Sequence, residues 1–159
     1  MYKSKTNLTL PLRLGTDESP SFLDNAAGID PSMINFSVSV SVEPIYLEEQ
    51  SSPAENHFVW AYHIRITNES EHTVQLMNRH WQITDGLGRR QDVKGAGVVG
   101  KQPVLKPGET FEYTSGTPLT TPSGIMAGSY EMEAETGNQF SVEIPAFSLD
   151  SPHQPVRLH

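Results

Sequence analysis

Phe58-Val59-Trp60-Ala61-Tyr62-His63-Ile64-Arg65-Ile66-Thr67 is the stretch that decides the fold. Phe58, Trp60, Tyr62, Ile64 and Ile66 fall on one phase of a two-residue period. Val59, Ala61, His63, Arg65 and Thr67 fall on the other. Successive side chains of a strand point to opposite faces, so this alternation predicts a half-buried β-strand. Three aromatics and two isoleucines on one side mark a core-facing surface.

The same texture extends in both directions. Upstream, Phe36, Val38, Val40 and Val42 alternate with Ser37, Ser39 and Ser41. Pro44 cannot donate to a ladder, so it is expected to end that strand or force a bulge, with Ile45-Tyr46-Leu47 resuming an edge. Glu48 to Asn56 reads as a polar loop. Downstream, Asn68 to Glu71 reads as a turn, and Thr73 to Thr84 as a strand. There Val74 and Leu76 lie on one phase, Trp81 and Ile83 on the other. A change of phase needs an extra residue, so a bulge is expected near Asn78-Arg79.

Asp85-Gly86-Leu87-Gly88 then makes a tight turn into a short polar strand, Arg89 to Lys94. Glu109 to Ser115 alternates around Phe111 and Tyr113, Gly116 to Pro122 reads as a Thr/Pro loop, and Ile125 to Glu135 is centred on Tyr130 and Met132. Gly137-Asn138 suits a two-residue hairpin before the last strand of Phe140, Val142 and Ile144. The tail from Asp150 is expected to be irregular. About seven strands at intervals of roughly 8 to 14 residues, with no amphipathic helix, predict an all-β fold. The architecture expected is an immunoglobulin-like or fibronectin type III-like antiparallel β-sandwich over residues 33–159, with a small barrel as the alternative. Residues 1–32 read as a flexible N-terminal arm, in which Leu8-Leu10-Leu12-Leu14 is the one alternating run.

Totals narrow the function classes. With 159 residues and no cysteine, the chain suits one domain without disulfides, zinc-thiolate sites or a cysteine nucleophile. A formal charge of −8 disfavours generic nucleic-acid binding. No apolar run approaches the roughly 18 residues of a membrane span, and no secretory signal is visible, so the cytoplasm is the expected compartment.

One run matches a functional fingerprint. Gly95-Ala96-Gly97-Val98-Val99-Gly100 fits G-x-G-x-x-G. In a dinucleotide-binding fold that run opens a helix whose N-terminus holds a pyrophosphate. Here Pro103 and Pro107 forbid that helix and the preceding segment is polar, so the Rossmann reading fails. What remains is a glycine loop able to turn backbone N–H groups toward an anion, or merely to turn a corner.

Its surroundings are basic. From Arg79 to Lys101 five basic residues face two acidic ones, a net +3, against −11 for the rest of the chain. The candidate ligand-binding residues are therefore His80, Arg89, Arg90, Lys94, Gly95, Gly97, Gly100 and Lys101, with Arg79 nearby. None of the six histidines forms a metal-binding spacing, no nucleophile elbow occurs, and neither a catalytic residue, a metal site nor a cofactor is expected.

Several blocks recur in a known order. Tyr46-Leu47-Glu48-Glu49-Gln50-Ser51-Ser52-Pro53, Phe58-Val59-Trp60-Ala61-Tyr62, Arg79-His80-Trp81-Gln82-Ile83-Thr84-Asp85-Gly86, Gly95 through Pro103, Tyr113-Thr114-Ser115-Gly116 and Gly128-Ser129-Tyr130-Glu131-Met132 together resemble the ApaG family of bacterial proteins. The likeness covers about Asn35 to His159. It implies a fibronectin type III-like sandwich and no established enzymatic activity. It also implies a link to cobalt resistance and magnesium efflux, and a genetic association with the hydrolase of diadenosine tetraphosphate. Similar domains appended to eukaryotic F-box and DNA-polymerase-interacting proteins point to a binding module.

The expectation is thus a non-catalytic module that binds a protein partner or a small anionic ligand. The alternative is an enzyme or accessory factor acting on phosphate, pyrophosphate or nucleotide compounds. A sensor of divalent cations would need more clustered oxygen ligands than Asp85 and Asp92 supply.

Overall fold

The computed structural model describes residues 2–6 and 36–153. The arm reading, residues 1–32, lies outside the described residues except at residues 2–6, and so does the Leu8–Leu14 alternation. The strands are β1 (Tyr2–Thr6), β2 (Val38–Tyr46), β3 (Phe58–Asn68), β4 (Val74–Asp85), β5 (Arg90–Ala96), β6 (Val104–Leu105), β7 (Glu109–Leu119), β8 (Ser123–Ala134) and β9 (Gln139–Asp150). The seven expected strands are β2 to β5 and β7 to β9. Two short 3-10 turns, Glu48–Gln50 and Pro53–Glu55, lie in the expected polar loop.

Two antiparallel sheets form the sandwich, one ordered β1-β7-β3-β2 and the other β5-β4-β8-β9, with β6 also on β4. The alternation of β3 is realised as predicted: Phe58, Trp60, Tyr62, Ile64 and Ile66 are all buried. From the opposite sheet Trp81, Ile83, Met126, Tyr130, Met132 and Ile144 complete the core. Tyr62 meets Trp81 edge to face across the two layers, with ring centroids 5.3 Å apart. Burial raises the Tyr113 and Tyr130 phenols well above their usual range, and their hydroxyls hydrogen-bond each other at 2.6 Å across the layers. Burial also raises Tyr62, although a hydrogen bond with Ser115 and the charge of Arg79 oppose the shift.

Asn68 closes the far end of β3. It is fully buried, its Nδ2 donates to the carbonyls of His72 and Leu105, and its Oδ1 accepts from the N–H and hydroxyl of Ser70. One amide thereby ties the β3–β4 turn to β6.

Three local expectations are corrected. Strand β2 runs straight through Pro44, which pairs with Tyr62. It is an edge strand, where a missing donor costs nothing when it points outward. Residues 116–119 belong to β7 rather than to a loop. Their partner Val59 directs its own N–H and carbonyl to Ser51 and Leu47, away from β7. The Val59–Pro118 pair is therefore non-hydrogen-bonded, and the imide of Pro118 faces the outer edge. The phase change in β4 lies between Leu76 and Asn78, slightly before the expected place. The inserted Met77 turns its carbonyl to Gly97 N–H and Gln102 Nε2.

The N-terminal strand β1 was not foreseen. Its five residues pair with Glu109–Tyr113 of β7, from Tyr2↔Tyr113 to Thr6↔Glu109.

Candidate functional site

Strand β5 is the outer strand of its sheet, and its register on β4 assigns its faces. Val93 pairs with Trp81, whose ring is in the core, so that phase points inward. Arg90, Asp92 and Lys94 take the other phase, opposite Thr84, Gln82 and His80. Asp92 sits between two basic side chains, with Arg90 Nε at 3.0 Å and His80 Nε2 at 3.1 Å. Those two hydrogen bonds, Arg90 first, hold its carboxyl below the usual range.

Arg89 is placed by the turn before the strand. Its Nε donates to Asp85 Oδ2 at 2.7 Å and its Nη2 to Thr120 Oγ1 at 3.2 Å. Desolvation pushes the Asp85 carboxyl up, but the N–H groups of Arg89 and Leu87 and the Arg89 guanidinium together hold it below the usual range. Asp85 thus caps its own turn while positioning Arg89.

Each glycine of the G-x-G-x-x-G run has a separate structural cause. At Gly95 a Cβ would meet the Arg79 guanidinium at 2.9 Å. Arg79 lies there because its Nη1 donates to the carbonyls of Ala96 and Gly97. At Gly97 a Cβ would stand 2.2 Å from Lys101 O, and φ is +64°. Gly100, at φ +80°, follows Val99 at φ 42°, and the two form the corner of a tight hairpin. Val98 N–H donates to Lys101 O, and Lys101 N–H donates to Val98 O, closing it. Two successive positive φ values are the signature of a type I′ turn. The N–H groups of Gly97, Val98 and Lys101 are thereby spent on carbonyls, and the buried Val98 pins the turn to the core.

The structure divides the predicted residues among three places. Arg89 and Arg90 line a cleft of about 340 Å³ at one end of the sandwich, together with His57, Gln91 and Thr120. His80, Lys94 and Gly95 line a second, of about 490 Å³, with Arg79 and Glu131. Gly97, Gly100 and Lys101 form the hairpin beyond it. His57 received no role from the sequence. It is 32 residues from Arg89, in a polar stretch without a motif, and only the pairing of β3 with the end of β7 brings it alongside.

A further polar cluster escaped the sequence as well. On the outer face of the β1-β7-β3-β2 sheet, His63 Nε2 and Nδ1 each lie 2.9 Å from an oxygen, of Glu112 and Thr114 respectively. Arg65 Nε stands 3.5 Å from the second Glu112 oxygen. Glu112 is almost wholly buried, and a buried carboxyl group requires such polar partners. Among the described residues no group of three or more His, Cys, Asp or Glu side chains is arranged to hold a metal ion. No helix there is long and apolar enough to cross a membrane.

Comparison with known proteins agrees with this architecture. The model of the ApaG domain matches residues 48–134. Protein ApaG of Paramagnetospirillum magneticum is 65% identical over 122 residues, covering 77% of this chain and 94% of that protein. Protein ApaG of Rhodospirillum centenum is 64% identical over the same shares. A crystal structure from Bordetella pertussis, named as an ApaA protein, superposes with a TM-score of 0.73 at 51% identity, over 76% of this chain and 98% of that one. With its two antiparallel sheets, its glycine hairpin and these relatives, the chain belongs to the ApaG family.

Proposed function

We propose that this protein is a non-catalytic cytoplasmic binding module that takes a small phosphate-type anion in the cleft at the end of the sandwich. The observation that carries the reading is the convergence of Arg89, Arg90 and His57 on one concave surface of an acidic molecule. A guanidinium fork suits phosphate oxygens bidentately, and Thr120 and Gln91 add neutral donors at the rim. Asp85 and Asp92 hold the two guanidiniums in place, which limits the ordering cost of binding. The glycine hairpin serves this site indirectly, by fixing the far end of β5.

Calorimetric titration of pyrophosphate into the protein tests the reading. Replacing both Arg89 and Arg90 by Ser is expected to weaken binding at least tenfold. Lys94→Ser, in the other cleft, is expected to leave affinity within about twofold, the scale of a remote surface charge. Absence of heat with the intact protein at millimolar pyrophosphate would remove the proposal.

A further inference from the structure

A different part of the surface is the outer edge of β7. Strand β7 pairs with β3 along one side from Thr110 to Leu119. On its other side β1 covers only Glu109–Tyr113. Among the described residues, no strand pairs with that side from Thr114 onward. Pro118, whose imide faces that edge, ends the usable ladder. An acceptor edge therefore runs from Glu109 to Thr117, and β1 fills about half of it.

The chemistry of the covering segment is specific. Tyr2-Lys3-Ser4-Lys5-Thr6 has a lysine at alternate positions, and it contains one aromatic and no aliphatic residue. The register sets Lys3 opposite Glu112 and Lys5 opposite Thr110. Both of those β7 residues are buried on the outer phase, where Glu112 gathers His63 and Arg65. A buried carboxylate at the acceptor favours a basic strand and penalises an acidic one. Residues 7–37 separate β1 from β2, and these two strands occupy opposite edges of the sheet. The cover is joined to the domain through that segment alone and shares no hairpin with its neighbour.

We propose that the outer edge of β7 is a strand-addition site for an extended basic peptide of a partner protein, with Lys or Arg at alternate positions, and that Tyr2–Thr6 covers it in cis. Backbone hydrogen bonds would supply affinity, and the alternating cations specificity. A partner strand reaching Thr117 would make four more residue pairs than β1 does.

The test uses a fluorescent peptide of residues 1–7 and the protein with and without its first seven residues. The peptide is expected to bind the shortened protein, and to bind the intact chain at least tenfold more weakly because its own strand occupies the edge. A peptide with Lys3 and Lys5 replaced by Glu is expected to bind the shortened protein at least tenfold more weakly than the original. Equal affinity for the two proteins, or no binding to a folded shortened protein at millimolar peptide, would overturn the proposal. Should the shortened protein not fold, amide chemical shifts of the intact chain at excess peptide decide. Perturbations confined to residues 109–117 and their β3 partners support the site, and perturbations elsewhere refute it. A dimer of the intact chain that disappears on shortening would assign the edge to a second copy and overturn the peptide reading.

Discussion

Gly97→Val is expected to destabilise the protein by about 3 kcal/mol or more, the range of strained-backbone and overpacking mutations. Two independent penalties combine. The first is conformational: at φ +64° an L-residue with a branched Cβ sits in the left-handed region, which alone costs roughly 1–2 kcal/mol. The second is steric. The new Cβ would stand 2.2 Å from Lys101 O, a backbone atom fixed by its bond from Val98 N–H. Gly100→Ala supplies the control, because Gly100 also has positive φ but nothing within 4 Å of its Cβ position. It is expected to cost only about 1 kcal/mol, the conformational part. Urea midpoints of the two variants measure the difference. Equal losses would show that the close approach to Lys101 does not matter.

The other large effect is expected at Asn68. Asn68→Ala removes four hydrogen bonds at once and takes a partner from the Leu105 carbonyl and the Ser70 N–H, while the His72 carbonyl keeps its bond from the Ser70 hydroxyl. Each buried polar group so orphaned costs roughly 1–3 kcal/mol, so a loss of about 3 to 4 kcal/mol is expected after water enters the site. A loss below about 1 kcal/mol in chemical denaturation, the size of an ordinary surface change, would contradict the closing role given to this amide.

These two residues show how unevenly the sequence reveals the molecule. The layers were legible because alternation is a local property: β3, β7 and β9 each announce an inward face through their own side chains. The ladder through Pro44 and Pro118 was not, since a proline's effect depends on whether its nitrogen faces a neighbour or the outside, and that follows from strand order. Asn68 read as a turn residue because Ser70 and His72 are local to that turn, while its bond to Leu105 is set by the return of β6.

The candidate site was less legible still. The sequence identified a basic segment and a glycine fingerprint as one unit. In the fold, extended β5 carries Arg89 and Arg90 to one end and the glycines to the other. The fingerprint itself arises from three unrelated constraints, a guanidinium lying on Gly95, a carbonyl against Gly97 and a turn at Gly100. The His63–Glu112–Thr114 cluster joins residues 49 and 51 positions apart, which no motif spacing encodes.

The tyrosines at the centre of the sandwich also govern its behaviour toward alkali. Tyr62, Tyr113 and Tyr130 all have phenols raised above 10.0 by burial. In the unfolded chain they ionise near that ordinary value, so above it the unfolded state holds fewer protons than the folded one. Stability contributed by keeping them neutral is full below about pH 10 and drains away as the pH rises further. The native core is therefore expected to resist hydroxide as a unit: the Tyr113 and Tyr130 phenols surrender their protons when the two sheets come apart, so their tyrosinate absorbance accompanies alkaline denaturation.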